Sequence, residues 1–404
     1  MGLIVQKFGG TSVANADLIM NAAKIITKAY KENNGVVVVV SAQGDMTDQL
    51  ITKANEINDH GSKREMDVLL SSGEQISIAL LAMAIEKLGY PVVSLLGWQA
   101  GVMTTSSYGS AAITRIDPDR IKKEIDKKNI VIVAGFQGIN RYFDVTTLGR
   151  GGSDTSAVGI AAVLNADLCQ IFTDVDGVYT ADPRIVKDAI KLNEISYDEM
   201  LELATLGAQV LNNRSVEIAK KHNVEVEVLS STENIPGTRL REAALVEKML
   251  ISGVSKDDNI ARISIGGVPD EPGWAFKIFS KLSARDINVD TILQSTQRNG
   301  KKDVSFAVKE EFLDDAIDVV KKYCETVDGT EVSYDKNVSK VSIVGAGMEN
   351  HPGVAAKMFE ALYTAQINIH MIAASEIRIS VIVSEILADE AVNVIHDTFF
   401  KSTV

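Results

Sequence analysis

The sequence predicts an α/β fold with a largely parallel sheet in its N-terminal part and a duplicated α+β fold behind it. Three observations support this prediction. Short β-branched runs alternate with helical stretches up to about residue 245, five consecutive valines occupy positions 36–40, and residues 271–295 recur at 351–375. A continuous apolar strand is buried on both faces and needs helices over each face. A gapless repeat indicates two copies of one small fold.

Five apolar runs are predicted as strands of the parallel sheet: Leu3–Phe8, Val36–Ser41, Val92–Leu96, Ile130–Gly135 and Leu168–Thr173. Residues 16–30 have the apolar spacing of an amphipathic crossover helix. Asp117 and Pro118 together predict an N-cap followed by proline at the first helical position.

Composition restricts the class of protein. A chain of 404 residues with 46% hydrophobic side chains exceeds the size of a single core. A net charge of -13 argues against nonspecific binding to nucleic acid or to anionic membranes, which requires a basic face. We see no apolar run of bilayer-spanning length, and the two isolated cysteines, Cys169 and Cys324, are predicted to be buried thiols. We therefore expect a cytoplasmic globular protein.

The first strand runs directly into Lys7-Phe8-Gly9-Gly10-Thr11-Ser12. Two adjacent glycines let a bulky anion approach the backbone N–H groups, and the lysine adds a positive charge beside them. This junction is typical of a phosphate-binding loop at the carboxyl end of a strand. A tight strand-to-helix turn with a surface lysine explains the same six residues equally well.

A second glycine-rich loop, residues 149–156, contains Arg150 between glycines and precedes an apolar helix predicted from Ala157 to Asn165. A helix N-terminus favours an anion, and a guanidinium matches a carboxylate or phosphate. Ser153 or Asp154 could simply cap that helix. Capping does not explain the arginine, so the loop favours ligand binding.

Two further segments have structural alternatives. Ser71-Ser72-Gly73-Glu74 has the spacing of a helix capping box. Residues 173–184 mix acids with turn formers, but counted from Asp174 the twelfth position, where an EF-hand requires glutamate, is Ile185. A calcium loop is therefore rejected, and no metal-ligand set is assigned.

The C-terminal repeat has ten identities in 25 aligned positions, including Pro272/Pro352 and Gly273/Gly353. Each copy reads as strand, Pro-Gly turn, helix and strand, followed by a second strand and helix, which predicts a βαββαβ unit. We predict domains at 1–245, 258–335 and 338–404, with a strand from 246–257 completing the last one. Fold alone leaves a dimerisation role open for this pair.

The N-terminal motifs occur in the order found in one known family. The motifs at residues 7–12, 149–154 and 173–179, together with Val133-Ala134-Gly135-Phe136-Gln137-Gly138, resemble the aspartokinase family of the amino acid kinase superfamily. The resemblance covers essentially the whole chain. It implies an amino acid kinase fold, with a parallel-rich sheet between helices, and two C-terminal ACT domains, which are regulatory ferredoxin-like modules.

The resemblance also implies site residues. The implied catalytic residues are Lys7 and Asp154. The implied ATP-binding residues are Lys7, Phe8, Gly9, Gly10, Thr173, Asp174, Tyr179, Asp182 and Arg184. The implied substrate-binding residues are Ser41, Thr47, Glu74, Arg150, Gly151 and Ser153.

These residue types suit an amino-acid substrate. Glu74 can pair with an ammonium group and Arg150 with a carboxylate, so a zwitterion is held at both ends. ATP and Mg²⁺ are the expected cofactors, and L-aspartate is the expected substrate. Its side-chain carboxylate is already ionised at pH 7 and needs no general base.

Two alternatives remain. Glutamate and acetylglutamate kinases share the sheet, although the Arg150 loop and the double ACT repeat favour aspartate. A non-catalytic amino-acid sensor is the other reading, which the intact charged residues oppose. Asn212-Asn213 replaces the family's usual His-Pro near the expected nucleotide side, and the loop after the valine strand reads Gln43-Gly44-Asp45.

The first ACT-like copy provides the candidate effector contacts: Asp270, Gly273, Trp274, Ala275, Asn288, Val289, Asp290 and Ser295. The second copy departs, with His351 in place of Glu271 and His370 in place of Asp290. The resemblance implies feedback inhibition by lysine, with threonine as the second choice. Because such folds pair their sheet edges and helix faces, we expect a homodimer or homotetramer.

Overall fold

The computed structural model describes residues 2–208, 210–242, 250–327, 329–348 and 351–401. Its contacts separate into two compact units. The N-terminal unit contains residues 1–178, 191–204 and 209–246, and the C-terminal unit contains residues 179–190, 205–208 and 247–404. Each unit is described by itself below.

The N-terminal unit is built on an eight-stranded sheet and a smaller four-stranded sheet. The strands are β1 (Leu3–Phe8), β2 (Gly35–Val40), β3 (Val92–Leu95), β4 (Val102–Thr104), β5 (Ile113–Ile116), β6 (Ile130–Ala134), β7 (Gln137–Ile139), β8 (Val145–Thr147), β9 (Leu168–Thr173), β10 (Glu194–Ile195), β11 (Val226–Ser230) and β12 (Thr238–Leu240). The large sheet has the order β10-β12-β11-β9-β1-β2-β6-β3 and is parallel except between β11 and β12. The small sheet has the order β5-β4-β7-β8.

The helices of this unit are α1 (Ala16–Lys31), α2 (Met46–Ile57), α3 (Lys63–Lys87), α4 (Asp119–Asp126), α5 (Gly152–Leu164), α6 (Tyr197–Thr205) and α7 (Asn213–His222). All six residues of β2 are buried, as a strand covered on both faces requires. Apolar side chains of α1 and α3 share one core with β1, β2 and β6. The predicted α/β class and the five predicted strands are confirmed.

Two sequence predictions about helix starts are wrong in detail. Helix α4 begins at Asp119, so Pro118 is its N-cap, although Asp117 still accepts a hydrogen bond from the Asp119 N–H at 3.1 Å. Helix α5 begins at Gly152, five residues before the predicted start, because Gly151 adopts the left-handed conformation that turns the chain. Ser153 and Asp154 therefore lie inside its first turn, and no side chain caps it.

Helix α3 overturns the capping-box interpretation of residues 71–74. It runs without interruption through this segment, and its N-cap is Ser62, which accepts from the Glu65 N–H. The Ser71 hydroxyl instead donates to the Val68 carbonyl within the helix. By length and composition α3 could also span a bilayer, contrary to the sequence prediction, but half of the relevant window is buried inside the protein.

The C-terminal unit contains two antiparallel four-stranded sheets. Its strands are β13 (Gly253–Asp257), β14 (Ala261–Pro269), β15 (Val289–Gln294), β16 (Lys301–Val308), β17 (Glu331–Asp335), β18 (Val338–Val344), β19 (Met371–Ala374) and β20 (Arg378–Ser384). Its helices are α8 (Trp274–Ser283), α9 (Leu313–Cys324), α10 (Val354–Thr364) and α11 (Ala388–Phe400). The sheet orders are β15-β16-β14-β17 and β13-β18-β20-β19.

The two sheets are equivalent, with one difference in how the chain supplies the fourth strand. In the first copy β17 follows α9 and pairs with β14. In the second copy β13, which precedes both copies, pairs antiparallel with β18. The strand predicted within 246–257 is thus observed at 253–257, and residues 246–249 lie outside the described residues. Both copies have the predicted α+β class.

The segment Tyr179–Ile190 leaves the N-terminal unit and joins the core of the C-terminal unit. Ala181 and Val186 lie in the same apolar cluster as α10 and α11. The Thr180 hydroxyl lies 2.9 Å from Nε2 of the buried His396, and burial lowers the pKa of that histidine. This segment carries part of the predicted nucleotide site.

Candidate functional site

The N-terminal unit contains a cavity of about 630 Å³ at the carboxyl ends of β1 and β2 and beside the N-terminus of α5. It collects residues from six segments of the sequence, within 7–10, 41–51, 63–74 and 108–110, at 136, and within 147–154. Ten predicted site residues line it: Lys7, Gly9, Gly10, Ser41, Thr47, Glu74, Arg150, Gly151, Ser153 and Asp154. All six predicted substrate-binding residues and both predicted catalytic residues therefore share one cavity.

Lys7 and Asp154 form an ion pair on the cavity wall. Lys7 lies near the end of β1, Asp154 lies in the first turn of α5, and Nζ is 2.7 Å from Oδ1. Both side chains are nearly buried, with exposures of 11% and 12%. Oδ1 of Asp154 accepts no hydrogen bond of acceptable geometry. The ammonium is thus oriented by charge, and it is placed to donate to a further oxygen in the cavity.

The glycines after Lys7 allow a close approach of two backbone segments. A side chain at Gly10 would place Cβ 2.6 Å from the Ala42 carbonyl oxygen, and that contact is with backbone, which cannot move aside cheaply. The Gly9 N–H donates to the Phe172 carbonyl, and the Phe8 ring stacks on Phe172 at 4.7 Å. Phe8 is fully buried, so it supports the loop from the core and does not line the cavity.

Glu74 is the most unusual acid in the cavity. It lies in the middle of α3 with 3% exposure, and its Oε1 accepts a hydrogen bond from the Ala42 N–H at 3.0 Å. Oε2 is buried and has no hydrogen-bond partner. Burial raises the pKa of this carboxyl to about 7, against the lowering effect of the Ala42 N–H. A cationic group bound in the cavity would satisfy Oε2 and favour its ionised form.

Arg150 lies in the turn between β8 and α5, and its side chain is exposed. The turn is shaped by Gly149 and Gly151, which have φ of +78° and +71°. A side chain at Gly151 would come within 2.4 Å of Asn212. The Nδ2 group of Asn212 donates to the Arg150 carbonyl at 3.1 Å, and its Oδ1 caps α7 by accepting from the Arg214 N–H.

Because of this contact, the departure from the family pattern at Asn212-Asn213 bears on the Arg150 loop. The sequence placed it near the nucleotide side, whereas Asn212 touches the loop that carries Arg150. The second departure, Gln43-Gly44-Asp45, lies just before α2, and the Gln43 side chain donates to the Val13 carbonyl.

The remaining predicted ATP-binding residues do not line the cavity. Thr173 and Asp174 follow β9 in the N-terminal unit, where the Thr173 hydroxyl donates to the Asp174 carboxylate. Tyr179, Asp182 and Arg184 belong to the C-terminal unit by their contacts. The Arg184 guanidinium donates to both oxygens of Asp182 and lowers the pKa of that carboxyl.

Sequence reasoning missed three residues around the cavity. Asp67 and Tyr108 line it, and Arg214 holds its rim by donating to the carbonyls of Leu148 and Ala111 at 2.7 and 2.9 Å. Asp67 lies seven residues before Glu74, which is two turns of one helix. That spacing could have indicated that Asp67 and Glu74 lie on one face of one helix, but the capping-box interpretation placed the start of a helix between them.

The candidate effector residues lie around the N-terminus of α8 and along β15. Gly273 has φ of +88° and starts α8, and the buried indole Nε1 of Trp274 has no hydrogen-bond partner. Asp290 makes a short ion pair with the buried Lys340 of β18, so one ACT-like copy contacts the other there. Asp270 forms an ion pair with Lys302, and the Ser295 hydroxyl accepts a hydrogen bond from the Asp303 N–H. The other candidate effector residues are Ala275, Asn288 and Val289.

Both cysteines are buried free thiols, as predicted. Among the described residues no three His, Cys, Asp or Glu side chains cluster closely enough to hold a metal ion.

Comparisons with known proteins agree with the fold and the motifs. The model of the amino acid kinase family matches residues 2–230, and an ACT domain model matches residues 263–323 and 341–399. The chain is 49% identical to aspartokinase 2 of Bacillus subtilis over 400 residues, which covers 99% of this chain and 98% of that protein.

Solved structures share the fold. Escherichia coli aspartokinase III in complex with aspartate and ADP has a TM-score of 0.79 at 23% identity, covering 98% of this chain and 100% of that one. The same enzyme in complex with lysine and aspartate has a TM-score of 0.74 at 24% identity, covering 98% and 99%. The chain therefore belongs to the amino acid kinase family, as an aspartokinase with two C-terminal ACT domains.

Proposed function

We propose that the cavity binds L-aspartate between Glu74 and Arg150 and transfers the γ-phosphoryl group of ATP to its side-chain carboxylate, giving 4-phospho-L-aspartate. This is the first step of lysine, threonine and methionine biosynthesis. The observation that carries the assignment is the buried, unpartnered Oε2 of Glu74, in the same cavity as the Lys7–Asp154 pair. An ammonium group is the ligand that this oxygen lacks, and Arg150 supplies a fork for the α-carboxylate.

The chemistry requires alignment and charge compensation. The attacking carboxylate is ionised at neutral pH, so the cavity needs no general base. The Lys7 ammonium donates to the transferred phosphoryl group as its negative charge develops, and Asp154 orients the lysine. The Gly9-Gly10 turn lets phosphate oxygens approach the backbone. Ser41, Thr47, Gly151 and Ser153 complete the lining around the amino acid.

ATP and Mg²⁺ suit the residues present. Mg²⁺ is usually bound through one or two carboxylates plus substrate phosphates and water, and Asp154 is the carboxylate in the cavity lining beside Lys7, with its Oδ1 ion-paired to the lysine. When bound, Mg²⁺ neutralises charge on the phosphates. The structure of the E. coli relative with aspartate and ADP supports a nucleotide as co-substrate. Thr173, Asp174, Tyr179, Asp182 and Arg184 are proposed to contact the nucleotide.

The ACT domains are proposed to bind the inhibitory amino acid at the N-terminus of α8 and along β15. Lysine is the first choice and threonine the second, and the lysine complex of the E. coli relative supports this order. We further propose a cytoplasmic homodimer or homotetramer, in which exposed sheet edges are paired between chains.

The central test traps the acyl phosphate with hydroxylamine, using MgATP with aspartate or glutamate. Aspartate is expected to give hydroxamate and glutamate little. Lys7→Ala is expected to lower turnover by about 10²- to 10³-fold, the loss typical of removing one electrostatic donor. Lys53→Ala, which removes an exposed lysine of α2 away from the cavity, is the control and keeps full activity.

Far-ultraviolet circular dichroism verifies that Lys7→Ala remains folded. Wild-type protein that forms no hydroxamate with aspartate would contradict the proposed reaction, and normal turnover in Lys7→Ala would contradict the role of the lysine. Repeating the assay with added lysine, threonine or methionine identifies the effector. A rate that responds to none of them would remove the proposed feedback site.

A further inference from the structure

Asp67 is a buried carboxylate next to the cavity whose role the proposed chemistry does not use. It lies on α3 with no exposed surface. Its oxygens accept from the Gly109 N–H at 3.0 Å, from the Thr147 N–H at 3.0 Å and from the Thr147 hydroxyl at 2.7 Å. All of these donors are neutral. Although Asp67 is among the residues that line the cavity, its carboxylate is fully buried and both of its oxygens accept bonds from protein groups, so its role is to hold the two segments that contain Gly109 and Thr147.

The two segments that Asp67 holds are both walls of the cavity. Gly109 and Ser110 line one side, and Thr147 ends β8, three residues before Arg150. The bonds from Asp67 therefore join α3 to the start of the turn between β8 and α5, residues 147–151, which we call the arginine turn.

The other end of the turn is held from α7. Arg214 donates to the Leu148 carbonyl, and Asn212 donates to the Arg150 carbonyl. The backbone from Thr147 to Arg150 is thus bonded at three points, Thr147, Leu148 and Arg150, to side chains that do not belong to the turn. A turn held in this way keeps one position relative to α3.

Glu74 lies on that same helix, seven residues after Asp67, so about 10 Å of rigid helix separates their backbones. The position of Glu74 sets one end of the amino-acid site. Asp67 connects the same helix to the loop that provides the other end.

We propose that Asp67 is a positioning residue that fixes the turn carrying Arg150 relative to α3 and thereby fixes the distance from the bound α-amino and α-carboxylate groups to Lys7, a distance that suits the side chain of aspartate and not the longer one of glutamate. The inference rests on the proposed roles of Glu74, Arg150 and Lys7. Aspartate and glutamate share both terminal charges and differ by one methylene in the side chain that must reach the phosphoryl group. A displacement of about 1 Å at such a site can cost 10²-fold in rate.

Asp67→Asn tests this directly. The amide NH₂ must face donor N–H groups and repels at least one of them, so the arginine turn shifts. We expect the KM for aspartate to rise about tenfold, the KM for MgATP to change less than twofold, and the ratio of kcat/KM for aspartate over glutamate to fall about tenfold. A general loss of stability would not separate the two substrates in this way.

Two further variants complete the experiment. Thr147→Val removes one of the bonds and should raise the KM for aspartate by a smaller factor while leaving the fold intact, which keeps the inference testable if Asp67→Asn fails to fold. Thr104→Val is the matched control, because it breaks a buried hydroxyl pair with Thr146 in the same small sheet without touching Asp67. It should leave both KM values and the substrate ratio unchanged.

The inference is overturned if Asp67→Asn or Thr147→Val folds and keeps wild-type KM values and the wild-type substrate ratio. It is also overturned if Thr104→Val changes them equally. Glu74→Gln and Arg150→Met test the proposed function separately: if neither affects the KM for aspartate, the site assignment fails whatever Asp67 does.

Discussion

The surroundings of Glu74 change the pKa of its carboxyl. Burial raises the pKa of its carboxyl to about 7, and the Ala42 N–H only partly compensates. The same residue on an exposed helix would be ionised at every physiological pH. Its ionisation therefore becomes linked to the binding of a cationic ligand, which stabilises the charged form.

We predict that the KM for aspartate falls as pH rises from 6 to 8. Near pH 6 about nine-tenths of the carboxyl is protonated, so binding the substrate ammonium requires loss of a proton, and KM should be about tenfold higher than at pH 8. Steady-state kinetics with saturating MgATP measure this. Glu74→Gln should have a high KM without this pH dependence, and a pH-independent wild-type KM would contradict the role of Glu74.

Stability should change in the opposite sense. The folded pKa lies above the unfolded value of 4.5, so the folded state binds more protons between these values and the free energy of unfolding decreases as pH rises from about 4.5 to about 7. The full effect corresponds to about 3 kcal/mol. In the absence of aspartate, Glu74→Gln should be more stable than wild type at pH 8 and similar to it at pH 4.

At the scale of secondary-structure elements, the N-terminus of α7 has two roles. One side chain, Asn212, both caps the helix and holds the arginine turn. The cap was recognisable as a residue type, but its second bond joins residues 62 positions apart and leaves no local pattern.

The variants Asn212→Asp and Asn212→Ala separate these roles. In Asn212→Asp the introduced carboxylate still accepts a hydrogen bond from the Arg214 N–H but cannot donate one to the Arg150 carbonyl. We expect near-wild-type stability with a KM for aspartate raised several-fold. Alanine should also lose about 1 kcal/mol of stability with the cap. Urea unfolding and aspartate kinetics measure the two effects, and wild-type kinetics in Asn212→Asp would exclude the holding role.

Helix α3 shows where local rules fail. Ser71 and Glu74 have the spacing of a capping box, yet they lie in the interior of a 25-residue helix. A capping sequence starts a helix only if the preceding residues are not themselves helical, and here Ser62 caps the helix nine residues before Ser71. The C-terminal part of α3 packs in one core with α1 and β6, through Ile78, Leu81 and Ile85.

At the scale of the whole molecule, the order of strands along the chain does not match the order of the two ACT copies that they belong to. Strand β13 precedes the first ACT copy but completes the sheet of the second. Val254 of this strand is 3% exposed and lies in the core formed with α10 and α11. The second ACT sheet therefore depends on residues that a division by sequence repeat alone would place elsewhere.

We predict that Val254→Asp destabilises the C-terminal unit by several kcal/mol, because it buries an unpaired charge. Inhibition by the effector should be lost, while turnover without effector persists. Ile386→Asp, the same change at an 89% exposed position of the same unit, is the control and should keep both properties. Calorimetry together with inhibition assays measures the outcome, and intact inhibition with unchanged stability in Val254→Asp would contradict the assigned role of β13.

The sequence by itself determined the fold class and the presence of two copies of one C-terminal fold, and it predicted the residues that line the cavity. These follow from local signals: buried valine runs, glycines beside Lys7 and Arg150, and a repeat of fixed length. Each of these signals consists of residues that are close together in the chain, or of a repeat at a fixed spacing, and can be recognised in the sequence without a structure.

Only the tertiary structure decided that Asp67 and Asn212 hold the arginine turn, that Glu74 lies inside a helix with a raised pKa, and that Tyr179–Ile190 packs with the C-terminal unit. Each of these facts depends on burial or on hydrogen bonds between residues far apart in the chain. The energy of such contacts depends on distance in space, which no local pattern of residues records.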